Sequence, residues 1–171
     1  VIRHEARGAA RKPGGASRGH AQAVLYFEER TQNTMTIQLR HETPDDVAAI
    51  EAVTIAAFAD APHTSRTEQF IVRALRDANK LTLSIVAEEH GRVVGHVALS
   101  PVTITDDHGR NADGWYGLGP ISVLPQRQGQ GIGSRLMKQA LSELRDMRAA
   151  GCVLLGDPAY YARFGFQAHA G

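Results

Sequence analysis

The chain carries 171 residues with a formal net charge of +1, 43% hydrophobic residues and a single cysteine. That is enough chain for one domain with its own core, and it excludes a disulfide-stapled scaffold, because Cys152 has no internal partner. No apolar run approaches the ~20 residues of a membrane span, and the first residues lack the apolar segment of a secretory signal, so a cytoplasmic protein with no membrane partner is expected.

The chain divides near Met35. Val1 to Gln22 is rich in Arg, Gly, Ala and Ser without hydrophobic periodicity, so it buries too little surface to offset the entropy of ordering, and a disordered extension is predicted over residues 1–34. Arg3, Arg7, Arg11, Lys12, Arg18 and Arg30 outnumber Glu5, Glu28 and Glu29 there. A nucleic-acid or partner-binding arm is the functional reading of that excess. An upstream extension, with Met35 as the original start, is the preferred one, and nucleic acid is not expected as a partner.

From Met35 to Gly171 the elements alternate. Thr36 to Arg40 reads as a strand. Thr43-Pro44-Asp45-Asp46 then opens a helix with a cap, a first-turn proline and acids at the positive end of the dipole. Val47, Ile50, Val53, Ala57 and Phe58 give that helix one apolar face. Ser65 and Glu68 have capping-box spacing for a second helix that is expected to bury Phe70, Ile71, Ala74 and Leu75. Leu83 to Glu88 and Val93 to Thr103 are strands about a His90-Gly91 turn, and Asp106 to Asp113 is a polar loop. Tyr116 to Leu124 is a fourth strand in which Gly117, Gly119 and Pro120 signal a bulge. Ile132 to Arg148 is a third helix with Leu136, Ala140, Leu144 and Met147 inward. Gly151 to Leu155 reads as a buried fifth strand, with Cys152 an inert buried thiol. Asp157-Pro158 supplies an N-cap and first-turn proline for a short helix that Gly165 ends. The order β-α-α-β-β-β-α-β-α is an α/β layout (α+β, mixed sheet).

The segment Leu124 to Met137, LPQRQGQGIGSRLM, carries the most chemistry. Three glycines lead from a strand into an amphipathic helix, where the first N–H groups have no intrahelical partner and the dipole adds about half a positive charge. An anion fits there, and charged hydrogen bonds to backbone N–H groups contribute about 1.5–3 kcal/mol each. Gly129, Gly131 and Gly133 are expected to take angles closed to other residues and to let the chain approach a ligand. A Walker A loop needs Lys after its second glycine, and Gly133 is followed by Ser134 and Arg135. A dinucleotide fingerprint counted from Gly129 and Gly131 needs glycine where Ser134 stands. What fits is Gln128-Gly129-Gln130-Gly131-Ile132-Gly133 as Q/R-x-x-G-x-G/A. The same pattern fits from Gln126 to Gly131, but starting at Gln128 places the helix start correctly.

That pattern resembles the coenzyme A pyrophosphate loop of the GNAT superfamily of N-acetyltransferases. Tyr161, Gly165 and Phe166 match the superfamily's Y-x-x-x-G-F, and LGDPAYYARFGF, WYGLGPISVLP and EQFIVRALR resemble its YhbS-like branch from about Met35 to Phe166. The resemblance implies a GNAT-like acyl-CoA N-acyltransferase fold, acetyl-CoA as co-substrate and an amine, small molecule or peptide, as acceptor. It implies that backbone groups of Gln128, Gly129, Gln130, Gly131, Gly133 and Ser134 hold the pyrophosphate, and that Ile121, Ser122 and Val123 pair with the pantetheine arm. It also implies two further strands after Gly-Phe, of which only Phe166 to Ala168 could begin one before Gly171, so an exposed sheet edge and homo-oligomer formation through it are expected.

Acyl transfer from a thioester to an amine needs an anion clamp, a donor to the developing oxyanion, an uncharged amine and a proton for the leaving thiolate. Tyr161 is the candidate general acid, since a thiol near pKa ~8.5 and a phenol near ~10 are closely matched. Tyr160 reads as an aromatic core residue. Glu68, His96 or a water chain could take the amine proton, and the sequence does not choose. The eight histidines show no metal-ligand spacing, so no metal is expected. A catalytically silent acyl-CoA-binding or interaction module stands as the alternative to an enzyme.

Overall fold

The structure, a computed structural model, describes residues 36–60, 67–105 and 108–167. The N-terminal extension and Ser65 lie outside the described residues. The elements are β1 (Gln38–His41), α1 (Val47–Phe58), α2 (Glu68–Asp77), β2 (Leu83–Glu89), β3 (Arg92–Thr105), β4 (Asn111–Val123), α3 (Ile132–Asp146), β5 (Gly151–Val153) and α4 (Pro158–Tyr161). This is the predicted order. One sheet of five strands runs β1-β2-β3-β4-β5, antiparallel except for the parallel pair β4 and β5.

Local chemistry explains most boundaries. Pro44–Asp46 forms a 3-10 turn ahead of α1, in which the Asp46 carboxylate accepts from the Thr43 backbone N–H at 2.7 Å. Arg40 reaches from β1 to the same carboxylate through two bonds of 2.7 and 2.9 Å. That bidentate grip holds Asp46 well below the usual carboxylate range although burial pulls the other way. The β2–β3 turn places His90 at φ 50° and Gly91 at φ 75°, the pair of left-handed residues that suits a two-residue hairpin. Asp157 caps α4 by accepting from the Ala159 N–H at 2.9 Å, and Gly165 stops the chain in the left-handed region at φ 90°.

The sheet is covered on both faces. Leu136, Met137, Ala140 and Leu144 of α3 pack with Ile85, Val97, Leu99 and Leu118 on one side. Ile50 and Val72, from α1 and α2, pack with Val86 and Ala98 on the other. Gly95 lets α3 lie close, since a methyl there would meet Leu136 and Ile132 at 3.1 and 3.2 Å.

Several expectations are corrected. α2 turns Val72 inward and leaves Phe70 and Ile71 about half exposed, because the helix docks through Val72 and through Arg76, which donates to Glu42 at 3.1 and 2.8 Å. Met147 is 43% exposed beyond the end of α3. β4 begins at Asn111, so the polar loop is shorter than expected. β5 stops at Val153 and is only partly buried, with Leu155 fully in solvent at 99%. Gly133 is helical, and a methyl there would make only ordinary contacts with Val123 and Tyr160.

Candidate active site

The site begins with a defect in β4. Leu99 pairs with Leu118 and Val97 with Ile121, so Gly119 and Pro120 together oppose Ala98 and form the bulge the sequence signals. A bulge bends its strand. β4 lies beside β5 only over Trp115 to Gly117, and past the bulge it has no described neighbour on that side. Because the Leu124 N–H donates to Val94 of β3 at 2.9 Å and successive residues alternate, the polar backbone groups of Ile121 and Val123 face the open gap. The Val123 carbonyl is met there by Gln128 Nε2 at 3.1 Å.

The glycine loop closes one end of this gap. Gly129 and Gly131 adopt φ 74° and 80°, the left-handed conformation that a side chain resists. Gly131 is the N-cap residue of α3, and no side chain occupies the cap. The first N–H groups of a 15-residue helix are thereby offered to an anion. α4 closes the other end.

A cavity of about 520 Å³ results, lined by Ile121, Val123, Gln128, Gly129, Gly131, Gly133, Ser134 and Tyr161, together with Arg127, Tyr160 and Arg163. Eight of the residues singled out in the sequence thus share one wall. Ser122 and Gln130 do not line it. The Ser122 hydroxyl points to the opposite face, 3.3 Å from Thr54 Oγ1 of α1. The Gln130 side chain turns back to the Gln126 carbonyl at 3.3 Å. A larger hollow of about 650 Å³ lies along the outer side of β5, between Trp115, Leu141, Leu154 and Phe166. It has neither the glycine loop nor the N-terminus of the long helix α3, so the smaller cavity is the one better equipped for an anion.

Sequence reasoning missed Arg127 and Arg163. Arg163 donates to Ser134 Oγ at 3.2 Å and stacks 3.9 Å above the Tyr160 ring. Arg127 is held by Glu89, itself buried, at 2.8 and 2.7 Å. Neither has a local sequence signature, because each depends on where separate elements dock. Tyr160 is no core residue: it is 42% exposed, and its hydroxyl stands near Gly133. Tyr161 is the more enclosed of the two, with its ring against Gly156, where a methyl group would collide with it, and near Phe166. Burial, reinforced by Tyr160, raises its pKa, so the phenol keeps its proton at neutral pH.

The base candidates stand apart. His96 is completely buried on β3 with Nε2 2.8 Å from Ser84 Oγ. Ser84 in turn donates to Glu42, a carboxylate that burial pushes up but that Arg76 and Ser84 together hold below its ordinary pKa. An ionised Glu42 only accepts, so the Ser84 oxygen must accept from His96 Nε2–H, and Nδ1 carries the lone pair. Burial depresses His96 to about 4. A sealed, neutral histidine cannot meet an incoming amine. Glu68 sits in the first turn of α2. Burial raises the Cys152 thiol to about 11, which agrees with the inert role expected of it.

A strand with an unpaired edge, a helix N-terminus that no side chain caps and a protonated phenol thus border one cavity. The chain belongs to the GNAT acetyltransferase family: the Acetyltransferase (GNAT) domain profile matches residues 80–168. It is 38% identical over 130 residues to the uncharacterized N-acetyltransferase YhbS of Escherichia coli K12, covering 75% of this chain and 72% of that one. Its fold is similar to a GNAT family acetyltransferase from Brucella melitensis crystallised with acetyl-CoA, with a TM-score of 0.73 and 54% identity over 78% of this chain and 84% of that one. The Escherichia coli YhbS crystal structure with CoA gives 0.68 and 35% over 78% and 69%.

Proposed function

We propose that this GNAT acetyltransferase moves an acetyl group from acetyl-CoA to an amine by direct attack in a ternary complex. The observation that carries the reading is the convergence of the β4 edge, the Gly129–Gly131 loop and Tyr161 on one cavity. Acetyl-CoA supplies the activated thioester. The backbone N–H groups from Gln128 to Ser134 bind its pyrophosphate, and Arg163 adds a positive charge beside them. Ile121 to Val123 supply the pantetheine's strand partner, and an N–H from this edge stabilises the oxyanion. Tyr161 holds the proton that the departing thiolate takes up as the carbon–sulfur bond breaks and the carbon–nitrogen bond forms. Glu68 or water accepts the amine's proton.

Release of free thiol from acetyl-CoA with a panel of primary amines tests this. Amine-dependent release that follows the Tyr161 side chain supports it. Tight acetyl-CoA binding with no release from any amine would leave a silent acyl-CoA-binding module instead.

A further inference from the structure

On the α1–α2 face of the sheet, buried polar side chains form two hydrogen-bonded runs that end beside each other. One begins at Arg76, which donates to Glu42 at 3.1 and 2.8 Å; Glu42 accepts from Ser84, and Ser84 Oγ lies 2.8 Å from His96 Nε2. The other is shorter. Thr54 Oγ1 donates to the Ile50 carbonyl at 2.8 Å and lies 3.3 Å from Ser122 Oγ. His96 shares its face with Val86 and Ala98, the sheet residues under Ile50 and Val72, and Ser122 reaches α1 on that same side. The two are direct partners in the β3–β4 ladder, and such partners hold their Cβ atoms about 4.5–5.5 Å apart. Thr54, Ser84, His96 and Ser122 are all buried.

The protons of both runs can be counted. Thr54 has one hydroxyl proton and the Ile50 carbonyl takes it, so the Thr54–Ser122 contact is made with the Ser122 proton. Ser84 gives its only proton to the Glu42 carboxylate, so His96 donates Nε2–H and keeps a lone pair on Nδ1. Both runs therefore end in acceptors. His96 Nδ1 is buried and receives no hydrogen bond among the described residues, an arrangement that is costly for a polar atom shut off from solvent. Two lone pairs cannot bond each other, whereas one small group with two hydrogens can bond both.

Charge narrows that group. An ammonium ion has the hydrogens, but a buried cation needs an opposite charge beside it. Glu42 is engaged by Arg76 at 2.8 Å, and Ser84 and the imidazole stand between it and Nδ1. We infer that His96 Nδ1 and Ser122 Oγ form the binding site of one internal water, which donates one hydrogen to each. Internal waters commonly serve buried polar groups in this way, with about three hydrogen bonds each. A donor at Nδ1 also favours the neutral ring, the direction in which burial already drives it. The water joins the two runs into a single seam, from the Ile50 carbonyl on α1 across β4, β3 and β2 to Arg76 on α2. Ser122 stands between Ile121 and Val123, so the seam braces from behind the strand edge that lines the glycine-loop cavity. This bracing is independent of acetyl transfer.

Crystals of the full 171-residue chain, grown without coenzyme, test the site. A high-resolution map should show a water within about 3.2 Å of both His96 Nδ1 and Ser122 Oγ. Neutron diffraction after exchange into D2O should aim its two deuterons at those atoms and leave Nδ1 bare. A map without that water, a direct Nδ1–Oγ hydrogen bond, or a deuteron carried on Nδ1 would overturn the inference. Nitrogen NMR at pH 7.5 gives a readout in solution. Ser122→Ala removes one buried oxygen and with it one of the water's two acceptors, so the His96 Nδ1 resonance should move downfield, toward that of an imidazole nitrogen without a hydrogen bond, while Nε2 stays protonated. An Nδ1 resonance identical in wild type and Ser122→Ala would show that no bridge connects the two residues.

Discussion

Gln128 Nε2 donates to the Val123 carbonyl at 3.1 Å, so the first residue of the glycine loop is fastened to the strand edge it must work beside. The strand edge and the loop are thus one unit, and in the coenzyme cavity proposed above the loop's backbone is what should matter for affinity. Gly131→Val forces a β-branched residue into the left-handed region, at a cost of about 1–2 kcal/mol, and fills the approach to the helix N-terminus. Calorimetry should show acetyl-CoA affinity falling at least tenfold. Arg135→Ala removes only a surface bond to the Ile37 carbonyl and should leave affinity near wild type.

Tyr161→Phe should lower kcat by about 10²–10⁴ with acetyl-CoA affinity nearly unchanged. Tyr160→Phe should be mild, because Tyr160 is held by Arg163 through its ring rather than its hydroxyl. Gly156→Ala offers a geometric control: the added methyl runs into the Tyr161 ring and should reduce kcat while the phenol stays present. Equal losses at Tyr160 and Tyr161 would assign both to packing.

The two arginines of the cavity should separate. Arg163→Ala should weaken acetyl-CoA about tenfold, one charged hydrogen bond's worth, without lowering Tm, since its partners are an exposed hydroxyl and two ring faces. Arg127→Ala strands Glu89, which is 5% exposed, and should cost stability by about 1–3 kcal/mol. Thermal unfolding and calorimetry on both variants distinguish the roles.

Acid should weaken the fold through His96. Its folded pKa of about 4 lies below the ~6.5 of an unfolded histidine, so the unfolded chain binds more protons between those values. The contribution is fully present above about pH 6.5 and is lost as pH falls toward 4, amounting to about 2–3 kcal/mol. Glu42, also depressed, adds loss at the acid end. A Tm series from pH 7.5 to 4 should slope downward, and His96→Leu should flatten it between 6.5 and 4.5 whatever its absolute Tm. An unchanged slope would mean that His96 is not the group being titrated.

β5 leaves its outer edge unpaired among the described residues, with Val153 and Leu155 exposed beside it. Such an edge invites pairing with another chain. Concentration-dependent association in sedimentation velocity is expected, and Val153→Lys with Leu155→Lys should suppress it.

Where the chain turns by local rules, the sequence was readable. The Thr43–Asp46 cap, the His90-Gly91 turn, the Gly129–Gly131 loop and the Asp157 cap each depend on residues within a few positions. The face of α2 was not readable, because Arg76 docks on Glu42, 34 residues away. Nor was the Glu42–Ser84–His96 chain, which exists only in the register that sets Val86 opposite His96. The cavity arginines escaped for the same reason. Propensity marks α3 and the turn after α4 separately, but only their packing brings Arg163 to Ser134.

The extra residue in β4 also acts as a frame shift. Side chains alternate along a strand, so parity decides the face. Ahead of Gly119 the even-numbered Tyr116 and Leu118 lie against α3; beyond Pro120 the odd-numbered Ile121 and Val123 do. Deleting one residue here would let β3 and β4 pair straight through, turning Ser122 toward α3 and the glycine-loop cavity and Ile121 and Val123 toward α1. Chain length at this point is therefore counted in units of two: a single insertion or deletion exchanges the side chains facing α3 for those facing α1 along the strand's remaining length.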